Sequence, residues 1–298
     1  MIIARIKGGL GNQLFIYAAA RRLAIKNKTK LILDDVSGFA YDDKFNRHYQ
    51  LDNFNITCQK ATAAQRLEPF SRIRRYLKRY INSKKPYQQR SYINQYDMSF
   101  DPKFLQLRNS KTLYLEGYWQ SEKYFKDVEN IIREDLKFKI PKDNENTEFL
   151  RNIQNKNSIA IHFRNFDKPN KRNSNANLFN YISIDYYKRS IKYINSKISE
   201  PHYFIFSDDP KAVSENLQLD IKNFSVVDIN QEKEKNYADL WLMSNCKHFI
   251  TTNSTFSWWG AWLAKNKKKI VITPDFKKKQ GIMKWGFDGL IPHDWLKL

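Results

Sequence analysis

Ile2-Ile-Ala-Arg-Ile-Lys-Gly-Gly-Leu-Gly-Asn-Gln-Leu-Phe15, with Leu31-Ile-Leu33 and Asp34-Asp35 beyond it, decides the fold class. The opening residues are β-rich, the glycines from Gly8 to Gly11 make a turn, and Asn12 to Ile25 carries helical periodicity around Ala18, Ala19 and Ala20. A second short β-rich run then ends on two acids. Strand, turn, helix and strand form half of a βαβ unit, which places a parallel sheet at the N-terminus.

Working outward, the pattern loosens from Asp42 to Asp101, where the most regular stretch, Ala61 to Ile81, reads as a very basic helix. Leu113-Tyr-Leu115 reads as a strand and Ser121 to Leu136 as a helix. The polar tract from Pro141 to Asn157 reads as a break between domains, giving 1–150 and 151–298. Alternation then resumes. Ser158–Phe163, Tyr203–Phe206, Asn223–Val227, His248–Thr252 and Lys269–Thr273 are strands, and helices follow Ser183 and cover 238–245 and 256–264. Strands alternating with helices imply a sheet covered on both faces. The expected architecture is therefore two α/β lobes, each with a parallel sheet, and a ligand cleft between them.

Composition narrows the partners. Hydrophobic residues at 41% and charged residues at 28% are ordinary for a globular protein, but a net charge of +21 is not. Nucleic acid, an anionic membrane surface and a phosphorylated substrate all attract such a chain. The excess sits in runs at Arg72–Arg79, Lys265–Lys269 and Lys277–Lys279, scattered rather than gathered on one recognition motif. Two cysteines, Cys58 and Cys246, make no disulfide framework and point to a reducing, cytoplasmic setting. No secretion signal and no apolar stretch of membrane-spanning length is read, so the chain is expected to be soluble, leaning at most on the inner face of the cell membrane.

Three constellations carry chemistry. Gly8-Gly-Leu-Gly-Asn12-Gln13 lets a ligand approach the backbone at a helix N-terminus, which favours anions, and marks Gly11 and Asn12. With Asp34 it imitates a dinucleotide fingerprint, but Leu14 fills the third glycine position, and no Gly-Lys-Ser/Thr follows for a Walker loop. Ile161-His162-Phe163-Arg164 ends a strand, where open α/β sheets bind ligands, and an arginine there forms charge-assisted bonds to phosphate. Thr251-Thr-Asn253-Ser254-Thr255-Phe-Ser257-Trp-Trp-Gly260 is a hydroxyl-rich turn before a helix, beyond what N-capping alone requires. Asp239 is ordinarily a helix-start acid, yet a carboxylate also accepts the N1–H and N2–H of guanine. Asp208 and Asp209 point apart, the five histidines lack metal-ligand spacing, and no nucleophile elbow occurs, so neither a catalytic metal nor a cofactor is expected.

In this order the motifs resemble the bacterial galactoside α-1,2-fucosyltransferases of glycosyltransferase family eleven. The segments are Gly8–Phe15, Gly117-Tyr-Trp-Gln-Ser-Glu-Lys-Tyr-Phe125, His162-Phe-Arg164, Phe206-Ser-Asp-Asp209, Asp239-Leu-Trp-Leu-Met243 and Asn253–Ala261, spread over almost the whole chain. The resemblance implies a GT-B-like fold, GDP-fucose as donor, inversion at the anomeric carbon, no metal, and a surface-polysaccharide or lipopolysaccharide glycan as acceptor. It assigns Arg164 to the β-phosphate, Ser254, Thr255 and Ser257 to a phosphate cradle, His162 and Asp239 to guanosine, and Asn12 to the donor's phosphate or fucose. No motif names the general base; Asp34 at a strand end is the expected candidate. Where the family has a second arginine this chain has Asn165, and Phe166 stands for a glycine, which puts the donor sugar in question. A transferase using another nucleotide sugar is the alternative, followed by an NAD-linked oxidoreductase and, from charge alone, a nucleic-acid binder.

Overall fold

The N-terminal pattern folds as a parallel sheet. In the computed structural model, which describes residues 1–43, 45–108, 112–163, 182–210, 213, 221–275 and 285–298, β1 (Ile2–Arg5) lies between β2 (Leu31–Asp34) and β5 (Leu113–Glu116). β3 (Gln59–Lys60) extends the sheet beyond β2, and β4 (Tyr92–Asn94) extends it beyond β5, giving the order β3-β2-β1-β5-β4 with every pairing parallel. Parallel strands need a crossover between them, and α1 (Leu10–Lys26) supplies the first. It is buried along most of its length, including Ala18, Ala19 and Ala20. Arg22 is buried with it: its Nε and Nη2 reach Asp127 and its Nη1 donates to the Leu105 carbonyl at 2.8 Å. A guanidinium so far from water requires this pairing.

The chain divides into two units, 1–139 with 287–292, and 140–286 with 293–298. The second holds a six-stranded parallel sheet of β6 (Asn157–Phe163), β7 (Pro201–Ser207), β8 (Phe224–Val227), β9 (His248–Ile250), β10 (Val271–Thr273) and β11 (Leu296–Lys297). Its order is β11-β10-β9-β6-β7-β8. β6 and β7 are near-continuous apolar runs, as expected of strands covered on both faces. α5 (Ile184–Asn195), capped by Ser183, buries Tyr186, whose hydroxyl donates to the carbonyls of Thr251 at 2.7 Å and Ile272 at 3.2 Å. α6 (Asn236–Ser244) and α7 (Thr255–Leu263) pack together at Gly260, and Trp258, Trp259 and Trp262 fill the space behind.

Three segments differ from their sequence reading. The basic helix, α2, spans Ser71–Ser83 rather than Ala61–Ile81. Pro69 offers no backbone donor, and Arg66 holds the preceding segment in turns through the Ala61 carbonyl and the Glu68 carboxylate. The helix expected from Ser121 to Leu136 is two short 3₁₀ turns and then α3 (Glu129–Asp135), with Ser121 capping only the first turn. The polar tract read as a domain break contains α4 (Asn144–Asn155), part of the second unit, whose start is fixed by the Asp143 carboxylate on the Asn146 N–H at 2.8 Å.

Just beyond β2 the chain crosses the exit of β1. Gly38 lies so close that a β-carbon there would sit 1.8 Å from the Ile6 carbonyl oxygen. Backbone cannot yield as a side chain does. Gly38→Ala is therefore expected to destabilise the first unit by about 3 kcal/mol, the upper end of ordinary overpacking. Urea unfolding measures this; an unchanged midpoint would mean the segment does not pack against Ile6.

Candidate functional site

Ligands of open parallel sheets bind beyond the carboxyl ends of strands, where the strand order reverses. In the first sheet that point lies between β1 and β5. β1 runs into Lys7, Gly8 and Gly9, and β5 ends on Glu116 before Gly117. Gly8 takes φ +77°, and a β-carbon on it would meet the Asn12 amide nitrogen at 2.9 Å, so the turn's glycine makes room for Asn12. Asn12 is half-buried and accepts from the Gln120 amide at 2.7 Å, which fixes its own amide orientation. Gly11 is buried in the first turn of α1. Its neighbour Gln13 is structural: it donates to the Gly8 and His48 carbonyls and accepts from the Gln50 N–H.

Asp34 is buried and committed to its own turn. Its carboxylate accepts from the Val36 N–H, the Ser37 N–H and the Ser37 hydroxyl. That geometry makes it an anchor for the turn after β2. Three titratable groups that no motif singled out, Arg5, Lys7 and Glu116, lie at or just past the ends of β1 and β5. Arg5 bonds Glu116 at 2.6 Å and also donates to Ser37. Burial alone would raise the Glu116 pKa, but the Tyr92 hydroxyl, Arg5 and Lys7 hold it below its ordinary value. Lys7, half-buried with its ammonium 4.8 Å from the Tyr118 ring centre, has its pKa lowered by burial and by neighbouring arginines. Their only sequence signal was position, at the ends of two strands.

In the second sheet the order reverses between β6 and β9. His162, near the end of β6, is buried, with its ring centre 5.7 Å from that of Phe256 on α7. β9 leads through Thr251, Thr252 and Asn253 into the N-terminus of α7, so the strand end and the helix end adjoin. Ser254 is the N-cap and accepts from the Phe256 N–H at 3.3 Å. Ser257 Oγ donates to the Ser254 carbonyl and accepts from the Thr252 N–H, each at 3.3 Å. Both serines are buried and shape the turn, whereas Thr255 is half-buried at its outside. The first N–H groups of α7 lack intrahelical partners and carry the positive end of the helix dipole. β6 ends at Phe163; Arg164, Asn165, Phe166 and Asp167 lie outside the described residues.

Asp239, in the first turn of α6, accepts from the Asn230 amide at 2.8 Å. Asn230 is in turn exchanged in two bonds, at 2.9 and 3.0 Å, with buried Asn146 of α4. Burial pushes the Asp239 pKa up to about 7, against the lowering effect of the Asn230 bond. Among the described residues, no group of three histidines, cysteines or acids is placed to hold a metal ion.

A family model, Glycosyl transferase family 11, matches residues 1–290. The chain is 33% identical over 294 residues to the Escherichia coli O-antigen biosynthesis glycosyltransferase WbnK, covering 90% of this chain and 92% of that protein. To the Escherichia coli alpha-1,2-colitosyltransferase it is 27% identical over 284 residues, 92% of this chain and 91% of that one. Among solved structures, fucosyltransferase NodZ from Bradyrhizobium matches with a TM-score of 0.52 at 14% identity, over 92% of this chain and 94% of that chain. At that identity the likeness concerns the fold, which is GT-B-like, with two α/β units each built on a parallel sheet. The protein is a glycosyltransferase and belongs to glycosyl transferase family 11.

Proposed function

We propose that the protein transfers L-fucose from GDP-fucose to the 2-hydroxyl of a galactoside, with inversion, during assembly of a surface polysaccharide or lipopolysaccharide glycan. The observation that carries this reading is the meeting of β6 and the α7 N-terminus at the reversal of the second sheet, which suits a diphosphate. The acceptor hydroxyl oxygen bonds to the anomeric carbon and gives up its proton to water or to the departing diphosphate, while the bond from that carbon to the β-phosphate oxygen breaks and GDP leaves with both electrons of that bond. Negative charge grows on the diphosphate, and Arg164, Thr255 and the first N–H groups of α7 are the groups we assign to it. Ser254 and Ser257 support it by holding the turn. His162 and Asp239 are assigned to guanosine. Asn12, held by Gln120, is assigned to the donor's phosphate or fucose. Charge compensation by these groups needs no metal ion or cofactor in the scheme.

The name of the colitosyltransferase relative supports a second reading, a donor carrying a different sugar, and Asn165 in place of a family arginine bears on the same choice. The net charge of +21 supports a cytoplasmic site of action beside the anionic inner face of the membrane. No described helix is long and apolar enough to cross one.

GDP release measured with a panel of GDP-sugars and galactose-terminated disaccharides tests the donor. Turnover with GDP-fucose is expected; turnover with another nucleotide sugar and none with GDP-fucose would overturn the assignment. Arg164→Ala is expected to lower kcat by about 10²–10³-fold, the usual loss for one donor to a developing oxyanion, and near-normal kcat would remove it from the diphosphate.

Asp239 gives a pH test. Pairing with guanine N1–H and N2–H requires the carboxylate, and the folded pKa of about 7 means the acid form dominates below neutrality. GDP binding then strengthens as pH rises through about 7, and Asp239→Asn lacks that increment. Calorimetric titration across this window compares the two; identical pH dependence in both would place guanosine elsewhere.

A further inference from the structure

α2 is amphipathic in the reverse sense. Successive residues of a helix step by roughly 100°, so Ile73, Tyr76, Leu77, Tyr80 and Ile81 form one stripe, with Arg75 and Asn82 on the opposite side. In most surface helices the apolar stripe faces the core. Here Arg75 and Asn82 are buried and the apolar stripe faces solvent. Arg75 donates to the Arg66 carbonyl and the Ser71 hydroxyl, and Asn82 accepts from the Ser91 and Tyr92 N–H groups, so the polar side is the one tied down. The five stripe residues are between 50% and 62% exposed, and Phe70, just before the helix, is 72% exposed. So large a run of exposed apolar side chains on one helix face is the mark of an interaction surface.

The charge around the stripe identifies what covers it. No acid occurs between Glu68 and Asp97, while Arg72 and Arg74 flank the stripe and Lys84 and Lys85 follow it, all exposed. The Lys84 ammonium lies 5.4 Å from the Tyr80 ring centre, so cation and aromatic ring share one edge of the surface. Two copies joined through this face would bring their arginines and lysines together, whereas lipid headgroups of negative charge would neutralise them. An aliphatic and tyrosine stripe bordered by cations suits the boundary between headgroups and acyl chains.

We propose that α2 is an interfacial helix, which docks the first unit on an anionic lipid bilayer by seating Ile73, Leu77 and Ile81 among the acyl chains and its cations among the headgroups. This deepens the membrane contact proposed above and is independent of the donor and acceptor.

The test is flotation of the full chain with vesicles of phosphatidylcholine alone and of phosphatidylcholine with phosphatidylglycerol. The parent is expected to float with the anionic vesicles and not with the neutral ones, and to be released by raised salt. Ile73→Ser with Leu77→Ser, and separately Tyr76→Ser with Tyr80→Ser, are each expected to lower the partition coefficient about tenfold or more. These positions are exposed, so unfolding curves and activity on a soluble acceptor should match the parent. Equal flotation of parent and variants, or parent binding to neutral vesicles as strongly, overturns the proposal. So does a dimer of the parent, seen without lipid by analytical ultracentrifugation and lost in both variants, because a second copy would then cover the face.

Discussion

Where neighbouring parallel strands send their connections to opposite faces of the sheet, the loops diverge and leave a crevice at the carboxyl edge. Each sheet here has one such reversal, β1 against β5 and β6 against β9, and the polar groups of interest gather at these two places. Gly8, Asn12 and Gln120 lie at the first, His162 and the turn from Thr251 to Ser257 at the second. Each set is held by bonds at its own turn. Gln13 pins the first turn from beneath through Gly8, His48 and Gln50, and the second turn is closed by Ser254 and Ser257. Polar groups held in place before a ligand arrives are the condition for electrostatic catalysis without reorganisation, and the proposed phosphate contacts rest on that condition.

The fold class was legible because it rests on local patterns. The run Ile2–Arg5, the glycine turn and the alanine-rich helix each state their conformation without tertiary help, as do the apolar β6 and β7. What was not legible depended on single contacts. α4 begins in a polar tract because Asp143 caps it and Asn146 is buried against Asn230, a pairing distant in sequence. The start of α2 was misplaced because helical composition continues through Ala63 and Ala64, and only Pro69 and the Arg66 bonds exclude the helix there.

The candidate site was legible to the same uneven degree. Hydroxyls are visible in a sequence, but whether they face a ligand or their own turn is not. The structure divides Thr251–Ser257 into buried serines that build the turn and a half-buried Thr255. Asp34 carries an expectation of base chemistry from its place at a strand end, and its three hydrogen bonds to the following turn could not be read from the sequence. Lys7 and Glu116 had no motif to mark them, because their altered proton affinities come from burial and from partners distant in sequence. The reversed α2 was half visible: its composition suggested a basic helix, but only exposure shows that the apolar side is the free one.

Family membership fixes a sugar-transfer reaction, and the proposed inverting displacement onto a galactoside is the step that decides between donors and linkages. Product analysis by NMR after reaction with GDP-β-L-fucose and a β-galactoside reads that step directly. The account predicts an α-linked fucose on O2 of the galactose. A β linkage, or attachment at another galactose hydroxyl, would contradict it.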